Sequence, residues 1–367
     1  MNYQTILPEA HKTSYTEYDV IDFMLSFQNK KLIGNSIRLE GDLQVLIGNS
    51  LPNTSPIYHE PLIGAHNYIN SITTDFQNVG SMENFREYPR FVKMKADCTM
   101  INDDMLNSNQ SCELRASTKF LTNNLMTPYS ARGIGGTNRL PDFSIKPDFL
   151  LNNVSSPSGD VGISYTKTGT VKVSIRLERI YGSLYGIGMD NTVSYNIQNL
   201  RMSYFTKPDD GVKNQLIFNT KLNLKQSLQS GLANVSTKVP AIANSVSCSF
   251  IQQSHEYTPT YSNCETETVP LLDQVVFSFN DSTNQYITFP IEDRMEVLER
   301  YLDSMSNIGV NNVSLEKVEA NQGFGVGLSF GENINLANQK FNIQLTSGIT
   351  NTSPYVIYMY FHSLRVM

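Results

Sequence analysis

The chain contains no tryptophan and only four cysteines in 367 residues, and charged side chains make up just 17 % of it. Cys98, Cys112, Cys248 and Cys264 show no Cys-x-x-Cys spacing, so a disulfide framework is not expected and reduced, partly buried thiols are. No apolar run approaches the roughly 18 residues of a membrane span. The opening Met1-Asn2-Tyr3-Gln4-Thr5 lacks the basic-then-apolar layout of a secretory signal, so synthesis and folding inside a cell are expected. The 28 basic and 34 acidic residues give a net charge of −6, and the basic ones form no block. That excludes coating nucleic acid by phosphate neutralisation, and no specific nucleic-acid binding is expected. With charge scarce, Asn, Ser, Thr and Gln must carry the polar surface. Such a surface suits packing against other protein copies, because few charges have to be desolvated.

Catalytic constellations are missing as well. The five histidines, His11, His59, His66, His255 and His362, are scattered, and no two stand at the three- or four-residue spacing of a helical metal site. No Gly-x-Ser-x-Gly elbow nominates a nucleophilic serine. Asp103-Asp104 and Asp209-Asp210 lack the alternating oxygen ligands of a calcium loop and read as solvated turns. Gly133-Ile134-Gly135-Gly136 has no strand-to-helix frame for a phosphate. Gly323, Gly325, Gly327 and Gly331 lie in a strand pattern, where glycine marks close backbone approach or a bend. The expectation is a protein that is not an enzyme, with no cofactor and no metal.

What the chain has is alternation. From Ser36 onward Ile37, Leu39, Leu43, Val45 and Ile47 point one way while Arg38, Glu40, Asp42 and Gln44 point the other, the period of a half-buried strand. Val171, Val173, Ile175 and Leu177 alternate with Lys172, Ser174, Arg176 and Glu178 in the same way. The pentapeptide Ser36–Glu40 recurs as Ser174–Glu178 and prompts the idea of a sheet protein built twice. Strand-like runs also cover Val20–Phe27, Tyr68–Phe76, Phe143–Leu151, Leu200–Phe205, Leu216–Leu224 and Val246–Ile251. Further ones cover Val275–Phe279, Gly325–Phe330, Phe341–Leu345 and Tyr355–Phe361. Many short strands separated by turn clusters predict a sandwich or barrel.

At 367 residues the chain exceeds the roughly 250 to 300 at which one core stops growing, so two domains are expected. The Gly-, Tyr- and Asn-rich stretch from Gly182 to Asn191 places the boundary near 190, dividing residues 1–190 from 191–367. One amphipathic helix is predicted at about 290–306, from Ile291, Met295, Leu298, Leu302 and Met305, with Pro290, Glu292 and Asp293 at its start. A weaker helical pattern covers Met82–Tyr88. Arg86, Arg90, Lys93 and Lys95 cluster around Glu87-Tyr88-Pro89 beside Phe85 and Phe91, which reads as a solvated loop or a contact with a partner.

In order, Tyr18–Phe23, Ser36–Gly41, Gly64–Ile69, Glu87–Arg90, Phe143–Phe149, Gly169–Ile175 and Leu200–Phe205 resemble the first roll of the double jelly-roll major capsid proteins of tectivirus-like and related icosahedral DNA viruses. The resemblance covers most of the first half and thins beyond residue 210. It implies an all-β fold of two jelly-roll β-sandwiches side by side with short flanking helices. It implies a homotrimer with a pseudo-hexagonal outline, trimers tiling a virion shell, and neighbouring capsomers and penton or minor capsid proteins as partners. An internal membrane could then meet an N-terminal arm of about residues 1–16, where the single Lys12 is a weak lipid anchor. Within this resemblance Arg86, Tyr88, Arg90 and Phe91 are the candidate subunit interface, since Tyr, Phe and Arg are enriched at such contacts. Replacing Arg86 and Arg90 by Ala is then expected to weaken assembly and leave the thermal transition nearly unchanged.

The rival readings are a carbohydrate-binding or glycan-processing sandwich and a receptor-binding spike or vertex protein. Missing tryptophan, the commonest sugar-stacking platform, counts against the first, although nineteen tyrosines keep it open. Two even halves count against the second.

Overall fold

The computed structural model describes residues 1–47, 57–99, 112–115, 119–121, 124–126, 142–187, 189–228, 233–238, 242–267, 272–280, 286–291, 294–306, 325–337, 339–347 and 353–367. All twelve strand-like runs contain strands. Four large sheets form, and they pair face to face into two sandwiches.

The first roll sets a seven-stranded sheet against a four-stranded one. The larger sheet runs Asp142–Ile145, Arg38–Ile47, Val193–Pro208, Lys30–Ile33, Gly162–Ser164, with Asn2–Ile6 and Ser14–Tyr15 lying along Val193–Pro208 as well. The smaller runs Val20–Leu25, Val171–Leu177, Ile69–Phe76, Gly80–Arg86. Period-2 alternation explains both. Val20–Leu25 buries Ile21, Phe23 and Leu25 and exposes Val20 and Met24, and its register sets Ile21 opposite Ile175, itself opposite Ile72. Each such burial contributes about 2 kcal/mol.

The second roll sets Val154–Ser155, Ile217–Leu228, Tyr355–Val366, Ile242–Gln252 and Val326–Asn335 against Ala233–Lys238, Lys340–Ser347, Leu272–Asn280 and Tyr286–Ile291. Val154–Ser155 comes from the first half of the chain, yet it pairs with Phe218 and Ile217. The rolls are therefore stitched through a shared sheet.

Several expectations are corrected here. The two copies of the pentapeptide lie in the facing sheets of the first roll, so they do not mark a duplication of rolls. The sheet expected to end near 190 continues to Pro208, because Val193–Pro208 pairs with Arg38–Ile47 across a bulge at Gln198/Arg201. The described change of roll falls between 209 and 216. Within residues 1–16, the expected N-terminal arm, Asn2–Ile6 pairs with Thr206–Met202 and Tyr15 with Ile197.

The helix expected at 290–306 spans Arg294–Ser306, because Pro290 and Ile291 complete the strand Tyr286–Ile291. Its inner face is Val297, Leu298, Tyr301, Ser304 and Met305, while Met295 is exposed. Glu292 and Asp293 lie outside the described residues, as do Asp103-Asp104, Gly133–Gly136 and Gly323. Met82–Tyr88 is mostly the strand Gly80–Arg86, and the helix follows it at Tyr88–Thr99. Gly325 and Gly327 are sites of close approach, as expected. A β-carbon on Gly325 would overlap the Cys248 carbonyl oxygen and stand 2.8 Å from the Tyr301 ring, and one on Gly327 would overlap the Ser304 hydroxyl.

Candidate functional site: the seam between the rolls

The helix Tyr88–Thr99 wedges between the first roll and the outer face of the second roll's five-stranded sheet. Glu87, at φ 51°, turns the chain out of the preceding strand, and Pro89 sits at the helix start where no backbone donor is needed. Phe91 lies 5.3 Å from the Tyr360 ring and 5.7 Å from His362, with Phe85 5.1 Å behind it. The Arg90 guanidinium stands 4.2 Å over Tyr358, donates to the Glu265 carbonyl at 2.8 Å, and donates also to the Asn263 carbonyl. Tyr88 accepts the Asp148 N–H at 2.9 Å and hydrogen-bonds His66 Nδ1 at 2.7 Å.

Tyr88, Arg90 and Phe91 are thus buried inside one chain, with Arg90 1 % exposed. Arg90 and Phe91 spend their cationic and aromatic chemistry on joining the two rolls and Tyr88 spends its own inside the first, which corrects their assignment to a surface between copies. Arg86 alone of the four is exposed.

A second layer of the seam is ionic. Asp148 of the first roll accepts from Lys221 of the second at 2.6 Å and from Lys95 of the wedged helix at 2.7 Å. Burial alone would raise the Asp148 carboxyl, but the two ammonium groups outweigh it and hold it well below the usual carboxylate range. Lys221 is fully buried, 5.3 Å and 5.1 Å from the rings of Phe85 and Phe91. Glu83 spans the seam: it accepts the Leu150 N–H at 2.7 Å and the Lys221 N–H at 3.0 Å. Burial pushes its carboxyl up to about 7, against the pull of Lys221. His362 meets Ser247 at 2.9 Å and is held neutral by burial, with its pKa lowered to about 3. Removing one member of a buried pair leaves an uncompensated charge at about 3–5 kcal/mol. A displaced roll would do the same, so the network fixes one placement of the rolls.

A loop of the second roll closes over the first. Ser262 donates to Glu60 at 2.8 Å, the Gly186 N–H to the Pro259 carbonyl at 2.8 Å, and Cys264 Sγ meets Asn67 at 3.0 Å. The linker is clamped by Lys31, buried and paired with Asp210, and by Lys207 on Asp160 at 2.6 Å. Among the described residues no cluster of three or more His, Cys, Asp or Glu could hold a metal.

No protein-family model matches the chain, and no curated protein does. Solved structures match it end to end. Vp54 of PBCV-1, fitted into a reconstruction of the virophage Sputnik, superposes with a TM-score of 0.60 at 10 % identity, over 100 % of this chain and 94 % of its own. The Faustovirus major capsid protein gives 0.57 at 9 % identity, over 100 % and 90 %. The Sputnik virophage structure gives 0.56 at 10 %, over 100 % and 88 %. The chain is a double jelly roll. At such low identity the likeness is one of architecture, and the double jelly roll here keeps both sandwiches and their side-by-side placement.

Proposed function

We propose that this double jelly roll is the major capsid protein of an icosahedral virus. Three copies form a pseudo-hexagonal capsomer, capsomers tile the virion shell, and the protein acts as structure with no catalytic role. The observation that carries the reading is the end-to-end match of both rolls to the Faustovirus major capsid protein. The locked seam supports it, because a tile must present its outer faces at fixed angles to every neighbour. So does the outer face of the seven-stranded sheet where Gln198 meets Gln44, uncharged amides that desolvate at less cost than charges.

Within this reading the partners are other copies of the chain and penton or minor capsid proteins. Contact with an internal membrane falls to the exposed Met1, Tyr3 and Leu7. Arg86 keeps the role of a contact between copies. Light scattering on the size-exclusion peak, with negative-stain imaging, tests the proposal. A species near three times 41.3 kDa with a hexagonal outline is expected, and a stable monomer at high concentration overturns it. Arg86→Ala should weaken that species without moving the thermal transition.

A further inference from the structure

Beside the loop of the second roll that closes over the first, the turn Glu17–Tyr18 and the segments at Arg179–Tyr181 and Asp190–Val193 line a groove of about 270 Å³. Its lining differs from the surrounding surface in combining two rings, two carboxylates, an amide and one guanidinium. Tyr18, 52 % exposed and at φ 65°, is held outward by its own backbone. A bulky residue in that conformation is strained and persists only where the surroundings impose it. Tyr181 stands partly exposed on the other segment.

Glu17 has one oxygen committed and one with no hydrogen bond among the described residues, while the Asp190 carboxylate takes the Val193 N–H in addition to the donors of Thr192. Glu17 Oε2 accepts the Ile180 N–H at 3.1 Å, and Asp190 Oδ1 accepts both donors of Thr192 at 2.8 Å and 2.6 Å. Arg179 is fixed by stacking 3.5 Å over Tyr257, with 42 % of its side chain open to solvent. Asn191 is exposed and offers both a donor and an acceptor.

We infer that this groove binds a single sugar unit of a neutral glycan. A pyranose has an apolar C–H face for a tyrosine ring and a rim of hydroxyls that donate to carboxylate oxygens and accept from a guanidinium or amide. The groove supplies each of these at the scale of one ring. The two carboxylates are balanced by Arg179 and by Arg176, whose guanidinium stands 5.8 Å over the Tyr18 ring, so the site has no net charge to offer a uronic or sialic acid and favours a neutral sugar. So small a ligand binds with millimolar affinity, and useful avidity would come from many copies. The inference is independent of the capsid proposal: a monomer could still bind the sugar, and a trimer could leave the groove empty.

Saturation-transfer NMR on the full chain tests it, with the methyl glycosides of glucose, galactose, mannose and N-acetylglucosamine and with methyl glucuronide for comparison. Transfer from at least one neutral glycoside is expected, with at least a fivefold weaker signal from the glucuronide. The signal should be lost in Tyr181→Ala and in Asp190→Asn, the latter an exposed change that leaves the fold intact, and kept in Tyr3→Ala, at a residue that pairs with Phe205 towards the far end of the strand that begins at Val193. Absence of transfer from every neutral glycoside overturns the inference. So does transfer that survives Asp190→Asn at full strength, or a stronger signal from the glucuronide.

Discussion

Replacing Arg90 by Ala separates a buried seam from a surface contact. The guanidinium makes two charge-assisted bonds to the carbonyls of Glu265 and Asn263 and stacks on Tyr358. Each bond contributes about 1.5 kcal/mol or more when donor or acceptor is charged, and a desolvated cation–π contact adds about 1 kcal/mol. Together these come to about 4 kcal/mol, a figure that includes the two carbonyls left buried without donors. A chain of 367 residues unfolding at about 2.1 cal/mol/K per residue shifts by about 1.3 °C per kcal/mol. Scanning calorimetry should therefore show Arg90→Ala melting about 5 °C below the parent. Arg86→Ala, at an exposed site, should move less than about 1 °C. Equal shifts in the two variants, or an unmoved transition in Arg90→Ala, would refute the assignment of Arg90 to the seam.

Three more outcomes are expected. Urea unfolding across pH should be nearly flat between about 4.5 and 6.5 and fall steeply below. Burial raises Glu83 and Glu178 to about 7, so each loses stability as pH rises from about 4.5 to 7. Burial lowers His59 to about 4, His362 to about 3 and His66 below its usual value, so each loses stability as pH falls below about 6.5. The slopes oppose in the shared window; below it only the losses from His and from carboxylates such as Asp148 remain, and a steep decline already present at pH 6 would contradict this balance. Leu39→Asp should unfold the first roll, since Leu39 is buried against Met202, while Glu40→Gln should cost less than about 1 kcal/mol by weakening its half-exposed pair with Arg201. Circular dichroism melts that treat the two alike would reverse the assigned faces. Gly325→Ala should cost about 2–3 kcal/mol, because its β-carbon meets backbone that cannot move aside; an unchanged melt would show that the sheet and helix can part there.

Strands with one face in a core and one in solvent were legible because alternation is all they need. Val171–Leu177 and Arg38–Ile47 are of this kind. The five-stranded sheet of the second roll was readable as strand but not as seam. Both of its faces are buried, with Val246, Cys248 and Phe250 inside the roll and Ser245, Ser247 and Ser249 under the neighbour. The helix Tyr88–Thr99 stayed hidden for the same reason: a helix enclosed on all sides shows no apolar stripe, and Arg90 and Lys93 stand where apolar residues would have betrayed it. Its one local sign, Pro89 after a strand, is shared by ordinary turns. The charge partners Asp148, Lys95 and Lys221 are distant in sequence, and nothing in their spacing announces a meeting.

The strand Val193–Pro208 lies between Arg38–Ile47 on one side and Asn2–Ile6 on the other, so it fills the middle of a sheet whose remaining strands are synthesised earlier. On the ribosome the first roll must wait with a gap at its centre until that strand emerges. Val154–Ser155 finds its partner only later, when Ile217–Phe218 has been made. The segment Asn2–Ile6 therefore remains an unpaired strand edge until Met202–Thr206 has been made, which makes nascent chains the stage at which wrong pairing with another copy is favoured. Slower elongation through residues 193–218 would lengthen that window, and a chaperone that covers Asn2–Ile6 would shield the edge until its partner strand arrives.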